Sequence, residues 1–176
     1  MKGVLTYNKI NGKVTIIFTN GHIYEGEWID EHIHGQGKMT YANGNIYEGE
    51  WKENNRNGQG KMTYANGNIY EGEWKENNRN GQCKMTFVNG DMYEGEYNDR
   101  TMNGRGTFIF INGNIYDGEW KNGKKDGQGR MTYANGSVYE GGWKENEKDG
   151  YGRSVEDGYW EKGVFMESVS QLPLIK

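Results

Sequence analysis

Residues 36–58 read QGKMTYANGNIYEGEWKENNRNG, and residues 59–81 repeat them letter for letter. Exact self-similarity at a fixed period marks stacked structural units rather than one globular core. The frame extends both ways. Its core, YEGEW at Tyr24, recurs at Tyr47 and Tyr70, then as YEGEY at Tyr93, YDGEW at Tyr116 and YEGGW at Tyr139. Gly35, Gly58, Gly81, Gly104, Gly127 and Gly150 share one position; Gly44, Gly67, Gly90, Gly113 and Gly136 share another. Residues 1–23 keep part of the pattern through Gly3, Leu5, Gly12, Ile16, Phe18 and Gly21, and read as a degenerate first copy.

Inside one unit, Tyr47, Gly49 and Trp51 alternate with Glu48, Glu50 and Lys52, and Gly60, Met62 and Tyr64 alternate with Lys61 and Thr63. Period two is the signature of a strand. Two turns separate the strands. In Ala42–Asn45, ANGN, the Asn-Gly pair is expected to take positive φ and close a tight hairpin. In Glu53–Gly58, ENNRNG, a longer polar loop is expected. Gly123 stands in that loop where other copies have Asn54, Asn77 or Asn146, so a left-handed residue is expected there. The chain is thus an all-β meander of about seven two-strand units. One face carries Tyr, Gly, Trp and Met; the other carries Glu, Lys and Thr, with cross-strand Glu–Lys pairs. At about 4.8 Å per strand, such a sheet would run on the order of 65–70 Å.

Composition agrees with a thin repeat structure. Only 33% of the 176 residues are hydrophobic, yet 13 Tyr and 6 Trp are present with 29 Gly and 1 Pro. Disordered chains are poor in aromatics, so rings rather than aliphatic side chains are expected to hold the structure. A net charge of −4 argues against non-specific nucleic-acid binding. One cysteine, no signal-like apolar run and no span-length segment favour a cytoplasmic setting.

Y-x-G-x-W followed by G-x-G, at a 23-residue period, resembles the MORN repeat over about residues 1–163. Departures are Tyr97 for the tryptophan, Cys83 for the second glycine of G-x-G, and Gly142 for an acidic residue. The resemblance implies a single elongated, twisted, antiparallel sheet of consecutive hairpins, open and solenoid-like, with the aromatics lining a groove. It implies scaffold roles in cytoskeletal, ciliary and membrane-associated assemblies, and lipid binding as a second proposed role.

Other motifs carry less. GQGK at Gly35 lacks the helix and the Lys-Ser/Thr step of a phosphate loop. Asp30, Glu31, His32 and His34 could serve a metal, but they read as one variant of a solvated loop, and no metal or cofactor is expected. Glu25 with Glu27 recurs in every unit, whereas an active site is singular and needs unequal carboxylates. Cys83 reads as a small apolar substitute for glycine. The chain is therefore expected to be non-catalytic.

The aromatic face holds the functional expectation. Its residues are Tyr24, Trp28, Tyr47, Trp51, Tyr64, Tyr70, Trp74, Tyr93, Tyr97, Tyr116, Trp120, Tyr139 and Trp143. They either pack on one another or leave a groove for a peptide or amphipathic helix of a protein partner. An anionic lipid surface is the alternative and would need unbalanced cations; a carbohydrate-binding repeat is a third. Residues 164–176, VFMESVSQLPLIK, fall outside the frame and read as an end cap. The open first strand at Val4–Tyr7 and the tail offer contacts for a homodimer.

Overall fold

The computed structural model describes residues 3–4, 11–98, 100–154 and 158–168. The chain divides into two compact units, Met1–Val88 and Asn89–Lys176. The fold is all-β, an open antiparallel sheet of consecutive hairpins.

The first unit holds β1 (Gly3–Val4), β2 (Gly12–Phe18), β3 (Ile23–Ile29), β4 (His32–Thr40), β5 (Ile46–Lys52), β6 (Asn55–Thr63), β7 (Ile69–Lys75) and β8 (Asn78–Thr86). Each strand pairs with its chain neighbour. The second unit repeats the arrangement with β9 (Met92–Asn98), β10 (Thr101–Ile109), β11 (Ile115–Lys121), β12 (Lys124–Thr132), β13 (Val138–Lys144), β14 (Glu147–Arg153), β15 (Gly158–Glu161) and β16 (Val164–Ser168). Of the tail, residues 164–168 form β16, which pairs with β15. The rest of the tail, and Leu5–Tyr7 of the expected first strand, lie outside the described residues.

The two turns exchange the characters expected of them. At Tyr41–Asn45 the Gly44 N–H donates to the Tyr41 carbonyl at 2.9 Å, the Tyr41 N–H donates to the Asn45 carbonyl at 2.9 Å, and only Gly44 is left-handed (φ 86°). That is a three-residue loop, a type I turn followed by a glycine bulge. The long polar loop is absent. Glu53 (φ 48°) and Asn54 (φ 65°) alone make a two-residue turn with both residues left-handed, and Asn55–Gly58 already belong to β6. The same holds at Asp30–Glu31, so His32 and His34 stand on β4 rather than in a loop. The left-handed residue expected at Asn54, Asn77, Gly123 and Asn146 is present, with φ of 65°, 66°, 78° and 76°.

Asparagines tie most turns to the preceding unit, with His22 and Asp91 taking the part in two copies. Asn54 Oδ1 accepts the Ile33 N–H at 2.9 Å, and Asn77 Oδ1 accepts the Arg56 N–H at 3.0 Å. At the other end of the strands, Asn45 Oδ1 accepts the Ala65 N–H at 2.9 Å.

The alternation of faces holds until Gly49, then breaks. Gly49 stands opposite Gly60 and Trp51 opposite Arg56; between these pairs β5 has only Glu50, while β6 has Asn57, Gly58 and Gln59. The surplus makes a bulge whose Gly58 has φ 88°. Glu50 caps it: Oε1 accepts the Gln59 N–H at 2.8 Å, and the carboxylate fills the space a Gly58 side chain would need. The second Glu of YEGEW is therefore a bulge cap, not a partner for lysine. The first makes the cross-strand lysine pairs, Lys38–Glu48 at 3.7 Å and Lys61–Glu71 at 3.1 Å, while Glu119 at the second position also meets Arg105 at 3.9 Å. Where Gly142 replaces the cap, the space beside Gly150 stands open.

Candidate functional site

The aromatic face is built on its tyrosines. Tyr24, Tyr47, Tyr70, Tyr93, Tyr116 and Tyr139 are the largest fully buried side chains, at 0–1% exposure. Each ring lies along its strand toward the bulge. The Tyr47 hydroxyl donates to the Glu50 carbonyl at 2.9 Å, and the Tyr70 hydroxyl to the Glu73 carbonyl at 2.7 Å. The ring covers the glycines of the next strand; a side chain on Gly60 would overlap the Tyr47 ring and hydroxyl. The glycine of YEGEW and its partner in G-x-G thus make room for a ring to lie on the backbone.

The tryptophans join one unit to the next. Trp74 meets Tyr70 of its own strand edge-on at 5.1 Å and Tyr47 of the preceding unit at 5.3 Å. Its Nε1 donates to the Gly60 carbonyl at 3.1 Å. In the second unit Trp143 repeats this with Tyr139, Tyr116 and the Gly129 carbonyl. Trp51, Trp74, Trp120, Trp143 and Tyr97 are all buried, at 4–6% exposure. Such edge-to-face contacts add about 0.5–1.5 kcal/mol each beyond burial.

The rings therefore fill their own groove. Among the residues expected to line it, the six tyrosines, four of the tryptophans and Tyr97 form the packing beneath the face. Trp28 and Tyr64 remain partly exposed, and Tyr64 lies just past the end of β6. Partly exposed as well are Tyr41, Phe87, Phe110 and Tyr133, which occupy the Tyr64 position in other units.

Sequence reading missed a row of cations on this face, because it placed them in the polar loop. The Arg56 guanidinium lies 4.5 Å from the Trp74 ring centre and 5.7 Å from that of Tyr47. Arg79 lies over Tyr70 at 5.6 Å. In the second unit Lys125 lies over Trp143 at 4.1 Å, and Lys148 over Trp160 at 4.0 Å and Tyr139 at 4.4 Å. Ile33 and Met102 take the same position in the remaining copies. Burial, with the neighbouring Lys148 charge, pushes Lys125 down to about 8. The findable signal was the 23-residue spacing of these positions combined with cation–π chemistry.

Cys83 is buried in the glycine slot, and burial pushes its thiol up to about 12, as befits an inert packing residue. Among the described residues no three His, Cys, Asp or Glu side chains cluster so as to hold a metal, and no helix is long and apolar enough to cross a membrane.

Burial raises the phenol pKa of Tyr24, Tyr47 and Tyr116 above the ordinary 10, and that of Tyr139 to about 12. The folded chain thus holds these protons after the unfolded chain has lost them. Their contribution to stability is complete below about pH 10 and is lost as pH rises through the folded values. In an alkaline titration, tyrosinate absorbance of these residues is expected to appear together with loss of the strand circular-dichroism signal. Ionisation of all 13 tyrosines near pH 10 with an intact sheet would contradict the burial.

An open sheet of consecutive hairpins with a repeated aromatic face defines an all-β repeat protein. The MORN repeat profile matches residues 24–46, 47–69, 70–92, 93–115, 116–138 and 139–155. The chain belongs to the MORN-repeat family. No curated protein matches it. Among solved structures it is similar to the TCP domain of Drosophila melanogaster SAS-4 (dCPAP), in complex with a proline-rich motif of Ana2 (dSTIL). That likeness has 17% identity and TM-score 0.51, and covers 86% of this chain and 82% of that chain. The TCP10 domain of Danio rerio CPAP is similar at 13% identity and TM-score 0.47, over 85% of this chain and 68% of that chain.

Proposed function

We propose that the chain is a non-catalytic scaffold whose aromatic face binds an extended segment of a protein partner. The carrying observation is the state of that face. Buried rings make a rigid floor, and on it stand partly exposed rings at Tyr41 and Tyr64 beside a guanidinium held over Trp74. Because the floor is filled, a flat face suits an extended peptide better than an inserted helix.

The period supports the same reading. One unit is two strands, about 9.6 Å. A polyproline II segment repeats its side chains every three residues, about 9.3 Å. Such a segment lying across the strands would meet each unit in phase, and aromatic surfaces are its usual dock. The similar fold of SAS-4 carries a bound proline-rich motif. A cytoskeletal or membrane-associated setting goes with a scaffold role. The last strand, β16, is assigned to closing the end of the array.

The test places a photo-cross-linking residue at Tyr64, on the aromatic face, or at Lys61, on the opposite face, and exposes each variant to native lysate. Polypeptide adducts are expected from Tyr64 and not from Lys61. Adducts from Lys61 alone, or lipid adducts from Tyr64, would overturn the reading.

A further inference from the structure

One hairpin departs from the repeat on the face opposite the rings. Residues 107–111, in β10 and its turn, read TFIFI, where residues 38–42 and 61–65 read KMTYA. Thr107 stands in place of a lysine, Ile109 in place of a threonine and Ile111 in place of an alanine. The stretch is uncharged and made of strand-forming residues. Exposed windows of this kind favour association.

Two neighbouring rows result on that face. The first is apolar. Ile109 stands opposite Met92 on β9 and Ile115 on β11. Ile109 and Ile115 are each 37% exposed, and Ile111 at the hairpin tip is 70% exposed. In β6 the corresponding residue is Thr63, between Ile46 and Ile69. The second row lies two residues along the strands, about 7 Å away. There Thr107 stands opposite Glu94 on one side and Asp117 on the other. Lys38 fills that place between Glu25 and Glu48, and Lys61 between Glu48 and Glu71.

A cation is favoured between Glu94 and Asp117 without either acid being unpaired. Glu48 stands beside both Lys38 and Lys61, so a carboxylate of this ladder accommodates two cations. Asp117 has Arg130 opposite it on β12 and accepts the Thr107 hydroxyl at 3.5 Å. Arg105, two residues before Thr107, is turned to Glu119 at 3.9 Å. The lysine position is thus held by a short neutral side chain with an exposed acid on either side.

β10 and β11 are interior strands, each paired on both sides. An extended segment finds no free edge there, whereas a helix satisfies its own backbone and presents a stripe of side chains. A second copy related by a two-fold axis would set the same acids against each other.

We infer that this face of β9–β11 binds an amphipathic helix of a partner protein. Its aliphatic stripe lies on Ile109 and Ile115 and continues to Ile111, and a lysine or arginine beside the stripe enters between Glu94 and Asp117. The partner thereby supplies the cation that Lys61 supplies within β6. The surface is separate from the aromatic face and stands whether or not that face binds a peptide.

The test uses the full chain and labelled helical peptides of about five turns, read by fluorescence anisotropy at low salt. One peptide has a leucine stripe flanked by lysines, a second has glutamates for the lysines, and a third has serines for the leucines. The first is expected to bind about tenfold more tightly than either of the others. Two variants install residues that β6 and its turn already carry, so the fold is expected to survive, which thermal unfolding checks. Ile109→Thr with Ile111→Ala is expected to weaken binding of the first peptide about tenfold, and Thr107→Lys about threefold. Tyr64→Ala with Arg56→Gln, on the aromatic face, is expected to leave it unchanged. Equal binding of the lysine and glutamate peptides, binding that survives both patch variants, loss through the aromatic-face changes instead, or no binding at all overturns the inference. So does a dimer of the unaltered chain in sedimentation that Ile109→Thr with Ile111→Ala dissociates, because a second copy would then cover the patch.

Discussion

Tyr47→Ala is expected to lower the unfolding free energy by about 3–5 kcal/mol, the range for removing a buried aromatic side chain. The ring is fully buried, its hydroxyl holds the Glu50 carbonyl, and Gly60 has no side chain with which to fill the space left behind. Tyr47→Phe, which keeps the ring and deletes one hydrogen bond, is expected to cost only about 1 kcal/mol. Urea unfolding followed by tryptophan fluorescence separates the two. An open groove with Tyr47 projecting into solvent would instead give a change within about 0.5 kcal/mol for alanine.

The second large effect concerns the joints between units. Trp74→Ala removes the edge contacts to Tyr47 and Tyr70, the bond to the Gly60 carbonyl and the surface on which Arg56 lies. The expected loss is again about 3–5 kcal/mol. Combined with Tyr47→Ala, the losses are expected to be non-additive by about 1 kcal/mol, since both changes delete the same contact. Additivity within error would mean that the units are joined by backbone pairing alone. For function the consequence is practical. A Trp51→Ala, Trp74→Ala protein that fails to bind a partner has lost its floor, so it reports on folding, whereas changes at Tyr64, Arg56 or Arg79 report on the surface.

Much of this was legible from a few residues. The alternation of Tyr47, Gly49 and Trp51 against Glu48 and Glu50 assigns the strand and its two faces, because side chains on a strand have a period of two. The Asn/Gly exchange at Asn54 and Gly123 assigns a left-handed residue to that turn. The same letters misled one step further on. ENNRNG is polar and reads as loop, but Asn54 reaches back to the Ile33 N–H and carbonyl of the preceding unit. That clamp shortens the turn to two residues and carries Arg56 into the sheet. Glu50 and Glu48 look equivalent in alternation. Only the extra residues on β6 turn Glu50 toward a bulge while Glu48 stays opposite Lys61.

Period, strand alternation and the glycine positions are local facts, and the repetition of 23 letters was enough to define the architecture and the family. Whether the aromatic row is a groove or a floor is not local. It depends on where a ring from one strand comes to rest on the next, and on a tryptophan a whole unit away closing over it. Strand pairing put glycine beneath each tyrosine, and burial of the ring with its hydroxyl satisfied favoured filling that space from within. What this face exposes was thereby moved outward, from the tyrosines of YEGEW to the cations and outer rings that their packing holds in place.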